Sequence, residues 1–322
     1  MIRSRLTAAF AGLLMALGGV TAVAHAEDAP KVIRVTYVAS PFNIPAIVMR
    51  EKGYLDEAFA ARGIKVESPV ITSGAAQIQA IAAGAIDIAS VLGDTSAILG
   101  KANGVDLQVV AAFSRNPKAF TIMGKAGGPT TLEDLKGKTV AGPKGTTLNQ
   151  LLAAALASKG MTLSDVKYIN MDLAAARAAL ISGQVDAATL AGSHVPAATK
   201  AGAQMIVNGG GLIAPTSVIG VRGEFLRQHR DLVDLYMKAQ QKALDFMAAH
   251  PEEALEIAAK EQKMSLEDAQ GMLPLYDFSP VLTDQDVKNM ESSQDFMVKA
   301  GMMQQTIDIR RDLIDPAAFA SK

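Results

Sequence analysis

Gly142-Pro143-Lys144-Gly145-Thr146-Thr147 lies between an apolar run, Thr139 to Ala141, and a helical pattern, Leu148 to Ser158. It reads as strand, tight turn and helix start. Gly145 permits the sharp turn, and Thr146 or Thr147 can cap the helix. A helix start presents unpaired N–H groups and the positive end of the helix dipole, which suit an anion. The spacing is not that of a Walker loop: Gly142 and Gly145 are too close, and no Gly-Lys-Ser/Thr follows. Such a turn also serves simply to join a strand to a helix.

Other residues of this kind stand at the ends of predicted strands. They are Ser40-Pro41-Phe42-Asn43, Ser73-Gly74, Gly93-Asp94-Thr95, Arg115, Asp172 and Ser193-His194. In open parallel sheets, ligands lie beyond the carboxyl ends of the strands. Small hydroxyl residues and glycines placed there offer backbone amides to an anion without a large charge. Each also has a plainer role. Ser73, Thr95, Thr146 and Ser193 serve equally as N-caps. Asp94 caps Ala97 or Ile98 if it does not touch solute, and Arg115 is either a hinge residue, a solvated charge or a ligand.

Catalytic and metal motifs are missing. There is no Gly-x-Ser-x-Gly, no His-Glu-x-x-His, no Gly-x-Gly-x-x-Gly after the first strand and no cysteine. Ser193, His194 and Asp172 have the composition of a triad, but adjacent Ser and His side chains usually diverge. The Met-rich end (Met290, Met297, Met302, Met303) reads as helix packing rather than a metal site. The sequence therefore predicts neither catalytic residues nor a cofactor.

Short β-rich runs alternate with amphipathic helices from Lys31 onward, the pattern of an α/β fold. Strands are predicted at Val32–Val38, Ile64–Ile71, Ile86–Val91 and Leu107–Phe113, with helices between them. A second set follows at Phe120–Met123, Thr139–Ala141, Val166–Asn170, Val185–Leu190 and Gln204–Val207. Ser217–Val221 is a strand that carries the chain back, and from Gly223 the pattern is helical. The segment Ala75–Ala89 aligns with Ala174–Ala188 at a constant shift of 99 residues, pairing Gly84 with Gly183 and Asp87 with Asp186; Gly93 pairs with Gly192 further on. A helix ending on glycine and running into a buried strand is common to both. The repeat predicts two similar lobes, 27–115 and 116–214, with 215–322 returning to the first lobe and adding C-terminal helices. Two crossings between lobes make a hinge. By the same register, His194 is expected to face Thr95 across the cleft.

Composition narrows the setting. Met1–Ala26 has Arg3 and Arg5, an apolar stretch and an Ala24-His25-Ala26 site, the form of a cleaved export signal. No cysteine is present for a disulfide, a thiolate metal site or a lipid anchor, so a free periplasmic protein is expected. With 31 basic and 32 acidic side chains, no basic nucleic-acid footprint exists. The absence of Trp and an aromatic share of 5% disfavour a carbohydrate site of stacked rings.

The ordered set of motifs has a family likeness. It runs Ile44-Pro45-Ala46…Glu51-Lys52-Gly53-Tyr54-Leu55, Gln77-Ile78-Gln79-Ala80-Ile81…Gly84…Ile86-Asp87-Ile88-Ala89, Gly93-Asp94-Thr95, Asp134-Leu135-Lys136-Gly137-Lys138 and Gly145-Thr146-Thr147. Over essentially all of the chain after the export signal it resembles the solute-binding proteins of nitrate/sulfonate/taurine-type ABC importers. The resemblance implies a two-lobed, Venus-flytrap (type II) periplasmic-binding-protein fold. It also implies a monomer that closes on a small anionic solute and hands it to a membrane permease driven by an ATPase. Gly93-Asp94-Thr95 and Gly145-Thr146-Thr147 would then face the anion. Where sulfonate binders typically carry Trp-Asp-Pro-Tyr, this chain has Ala191-Gly192-Ser193-His194, so an aromatic wall is replaced by an imidazole. Two alternatives share the scaffold: a sensor subunit, and an enzyme related to pyrimidine-precursor synthases. The latter work inside the cell with a Cys/His-rich site, against which export and the lack of cysteine argue.

Overall fold

A computed structural model describes residues 30–319. The export-signal reading of Met1–Ala26 lies outside the described residues.

The first lobe is built on β1 (Val32–Arg34), β2 (Lys65–Glu67), β3 (Ile88–Gly93) and β4 (Leu107–Arg115), with α1 (Ile44–Glu51), α2 (Tyr54–Ala60), α3 (Gly74–Ala82) and α4 (Asp94–Ala102) between them. The chain then crosses to β5 (Phe120–Gly124), β6 (Thr139–Gly142), β7 (Lys167–Asn170), β8 (Ala187–Ala191) and β9 (Gln204–Asn208), joined by α5 (Thr147–Ala157), α6 (Leu173–Ile181) and α7 (His194–Lys200). It recrosses into β10 (Thr216–Arg222) and ends in α8 (Gly223–Gln228), α9 (Arg230–Ala249), α10 (Pro251–Gln262), α11 (Leu266–Met272) and α12 (Asp284–Lys299).

Both sheets have one strand order. In the second lobe it is β7-β6-β8-β5-β9, with β5 antiparallel between β8 and β9. In the first, β1 pairs in parallel with β2, and β10 runs antiparallel between β3 and β4. A parallel bridge from Val35 to Ile88 and the bond from Thr36 N to Ile88 O (2.9 Å) carry β1 onto β3. The order β2-β1-β3-β10-β4 therefore repeats that of the second lobe. In each lobe the antiparallel strand is the one that follows a crossing.

The sequence repeat has a physical counterpart. Gly84 and Gly183 end their helices with φ of +66° and +77°, a region favouring glycine. Asp87 accepts from the amide of Arg34 (2.9 Å) and Asp186 from that of Thr139 (3.0 Å), so each carboxylate, just ahead of β3 or β8, ties that strand to its parallel neighbour, β1 or β6. Ser73 and Asp172, also 99 residues apart, cap α3 and α6 through Ala76 N and Ala175 N.

Helices cover both faces of each sheet. One core of the first lobe holds Ile33, Phe42, Ile88, Phe113 and Tyr236 under α1, α2, α9 and α10. The opposite face packs Leu92, Ile98 and Val109 against α12, whose Met290 and Met297 are fully buried. In the second lobe, α5 covers one face through Leu151 and Leu152, and α6 and α7 cover the other through Leu180 and Ala198. The predicted strands Val32–Val38 and Ile64–Ile71 shrink to three-residue ladders. Pro69 lacks the N–H needed to continue β2, and isolated bridges at Val35 and Tyr37 replace regular ladders. Among the described residues, no helix is long and apolar enough to cross a membrane.

Candidate functional site

Two helix N-termini meet between the lobes. Gly93, the N-cap of α4, and Thr147, the first residue of α5, are close enough that a methyl on Gly93 would lie 3.9 Å from Thr95 Oγ1 and 4.0 Å from Thr147 Oγ1. The first lobe contributes α4 and the second α5, so two positive dipole ends face one space. Within the α5 turn, Thr146 Oγ1 accepts from Leu148 N (3.3 Å) and donates to Pro143 O (2.8 Å). Gly145, at φ +72°, donates its amide to Asn149 Oδ1 at 3.2 Å.

Several buried polar atoms here have no protein partner. Thr95 Oγ1 on α4, and Asn149 Nδ2 and Gln150 Oε1 on the first turn of α5, are all unpaired. Their residues are between 1% and 7% exposed. An unpaired buried group costs about 1–3 kcal/mol, so these atoms favour a polar occupant. Gln150 Nε2 crosses the lobes to donate to Ser293 Oγ on α12 (3.2 Å), and Ser293 donates on to Asp94 Oδ2 (3.0 Å). Asp94 is wholly buried and also accepts from Thr95 N at 2.7 Å. Burial pushes its carboxyl up to about 6, against the lowering effect of those bonds.

Four of the residues predicted to touch solute are engaged within the protein instead. Asp94 is closed off beneath α12. Phe42 is fully buried and packs against Tyr276 with ring centres 5.5 Å apart. Asn43 donates from Nδ2 to Val38 O and Ser40 O (2.9 and 2.8 Å), holding its own loop. Arg115 forms a fork on Asp286 of α12, with Nε and Nη2 each at 2.6 Å, and donates to Ser279 O and Val281 O. Of the three roles open to Arg115, the hinge role is the one it fills, since it ends β4 at the first crossing.

The other predicted residues divide between the rims. Ser73 and Asp172 are exposed caps of α3 and α6. Gly74 packs on Ser96, where a methyl would come within 2.3 Å of Oγ. Ser40 stands beside Pro41 in a turn that meets Gly192 and Ser193 of the second lobe, with Ser193 N 3.4 Å from Pro41 O. Ser193 Oγ donates to Gln262 Oε1 at the end of α10 (3.3 Å). His194 opens α7, and its Nδ1 is buried without a partner. Burial lowers its pKa; Arg177 lowers it further, and Asp172 opposes both. Opposite Gly93 and Thr95 stands Thr147, and the charged groups that act on His194 are Arg177 of α6 and its N-cap Asp172, both in its own lobe.

Asn149, Gln150, Ser293 and Gln262 were missed by sequence reasoning. Asn149 and Gln150 carried a signal, being two amides in the buried first turn of an otherwise Leu/Ala helix. Ser293 and Gln262 carried none, because their partners are remote in sequence. Among the described residues no cluster of His, Asp or Glu is arranged to hold a metal.

Comparison with known proteins places this geometry. The family described as NMT1/THI5 like matches residues 40–254, well over half of the chain. The chain belongs to this family. A relative in Bacillus subtilis (strain 168), assigned by name to aliphatic sulfonates, is 28% identical over 84% of this chain and 82% of its own. The taurine-binding periplasmic protein of Escherichia coli (strain K12) is 29% identical over 61% of this chain and 62% of its own. In fold, this NMT1/THI5-like chain matches the alkanesulfonate-binding protein SsuA of Xanthomonas axonopodis pv. citri, solved bound to MOPS. The TM-score is 0.81 at 22% identity, over 89% of this chain and 99% of that one. The NMT1/THI5-like chain thus has the periplasmic-binding-protein fold, and these relatives are named as binding proteins, not enzymes.

Proposed function

We propose that this protein is the solute-binding component of an ABC importer, exported to the periplasm. It closes as a monomer on a small organic anion and delivers it to a permease served by an ATPase. The lobes in this reading are 27–115 with 215–322, and 116–214. One observation carries it: the N-termini of α4 and α5 oppose each other across the cleft, with Thr95 Oγ1 and Asn149 Nδ2 buried and unpartnered beside them. Arg115 is spent on Asp286, so the anion is held by helix dipoles, amides and neutral donors. The named solutes of the relatives support a sulfonate.

Calorimetric titration with ethanesulfonate, taurine, nitrate and acetate tests the reading. A bound sulfonate at 100 times its Kd should stabilise the protein by about 2.7 kcal/mol. Gly93→Ala sets a methyl beside Thr95 and Thr147 at ordinary contact distances of 3.9 and 4.0 Å, so the protein tolerates it, but it takes up room that the solute would occupy and should weaken binding about tenfold or more. If none of the anions binds, or Gly93→Ala binds ethanesulfonate as the parent does, the reading fails.

A further inference from the structure

The two rims of the cleft are related by the 99-residue repeat, yet they meet the opposite lobe differently. Gly93 has φ −66°, and a methyl added there would make only ordinary contacts, at 3.9 and 4.0 Å, with two hydroxyls. Its counterpart Gly192 has φ +59°, and a methyl there would lie 2.1 Å from Pro41 O, 2.4 Å from Pro41 Cβ and 2.5 Å from Pro41 C. Those atoms belong to the other lobe, and two of them are backbone, so no side-chain rotation makes room. Positive φ alone does not demand glycine, since Asn and Asp also enter that region. The contact with Pro41 does demand it.

This contact is fastened by neighbours. Gln262 donates from Nε2 to Ala39 O of the first lobe (2.7 Å) and accepts from Ser193 Oγ of the second (3.3 Å). At the far end of α7, Lys200 pairs with Asp268 of α11. The α10–α11 corner thus grips both the turn that carries Pro41 and the start of α7.

We propose that Gly192, seated on Pro41 and fastened through Gln262, is the stop on which the lobes close, and that it sets solute affinity without touching the solute. The link to affinity rests on the solute-binding reading above. A binding protein whose closed form is only partly populated binds with its intrinsic Kd divided by that population. A methyl wedged at Gly192 removes closed form, and the apparent Kd rises by the same factor.

The test uses the absence of cysteine from the chain. Lys200→Cys with Asp268→Cys puts one thiol on each lobe where the lobes meet. The rate of trapping by a short bis-methanethiosulfonate reagent then reports the closed population. The pair is placed in the otherwise native chain and with Gly192→Ala, Gly183→Ala or Gln262→Ala. Gly183 is the control: it lies in the same lobe at φ +77°, with nothing within 4 Å of an added Cβ, so alanine there brings backbone strain alone. Trapping should be unchanged by Gly183→Ala, slowed about tenfold or more by Gly192→Ala, and slowed to a lesser extent by Gln262→Ala. Equal rates for Gly192→Ala and Gly183→Ala would overturn the proposal. If Gly192→Ala does not fold, an unchanged rate in Gln262→Ala overturns it. Ethanesulfonate should accelerate trapping in the parent pair. If it does not, the sulfonate reading fails, while the solute-free rates still decide the stop.

Discussion

Asp286→Asn probes the hinge most directly. The carboxylate is 2% exposed and takes five hydrogen bonds. Arg115 supplies two at 2.6 Å, Thr283 supplies its amide at 2.8 Å and its hydroxyl at 2.6 Å, and the Thr216 hydroxyl lies at 3.2 Å. Arg115 ends β4 and Thr216 begins β10, so one side chain of α12 holds both crossings between the lobes. Burial alone would raise the Asp286 pKa, but the bonds from Arg115 and Thr283 outweigh it and hold the carboxyl below its ordinary value. Asparagine keeps a single acceptor oxygen, turns an NH2 toward existing donors and leaves Arg115 only the exposed carboxylate of Asp277, 3.5 Å away, as a counter-charge. Breaking a buried pair in this way costs about 3–5 kcal/mol. A carboxylate with a lowered folded pKa contributes stability that is present above its unfolded value, about 3.9, and is lost as pH falls through the folded pKa. Urea denaturation followed by circular dichroism should therefore show a large gap between parent and variant at pH 7 that closes in acid. A gap below about 1 kcal/mol at pH 7, the scale of an exposed ion pair, would refute the hinge argument. So would a gap of constant size down through the acid range.

Two further predictions concern titration. Asp94 has a folded pKa raised to about 6, so its protonated form favours folding and that contribution is lost as pH rises from its unfolded value through the folded one. Asp94→Asn should gain stability relative to the parent between about pH 4 and pH 7, and a difference that does not change with pH would count against a buried carboxylate there. The His194 pKa is lowered by burial and by Arg177, so the imidazole is neutral at pH 7. A bound anion within reach should raise that pKa and draw in a proton, tightening binding as pH falls. Calorimetry with ethanesulfonate in buffers of different ionisation enthalpy should detect the proton uptake, and His194→Ala should abolish it. Identical proton counts in parent and variant would place the imidazole outside the site.

Much of the fold was legible because its signals are local. Ser73, Thr146 and Asp172 cap helices through amides two or three residues away, and such a bond depends on little beyond its own turn. Gly84 and Gly183 end helices in the left-handed region, which glycine enters without the penalty that a Cβ brings. The repeat was visible because Asp87 and Asp186 do the same work in each lobe, accepting an amide of the neighbouring parallel strand. Where the prediction overreached, at the length of the first two strands, the apolar pattern continued although the edge ladder did not.

The sequence by itself determined the α/β class, the repeated strand-and-helix unit and the two helix starts, at Gly93 and at Gly145-Thr146-Thr147, that the proposed function sets on the solute. Only the tertiary structure decided which polar groups there are spent and which are free. Arg115 finds its carboxylate 171 residues away, Asp94 finds Ser293 at a separation of 199, and Ser193 finds Gln262 at 69. A charge or hydroxyl at a strand end looks the same in sequence whether it faces a solute or a remote helix. The distinction rests on desolvation and on long-range partners, and both exist only once α10, α11 and α12 have packed across the hinge.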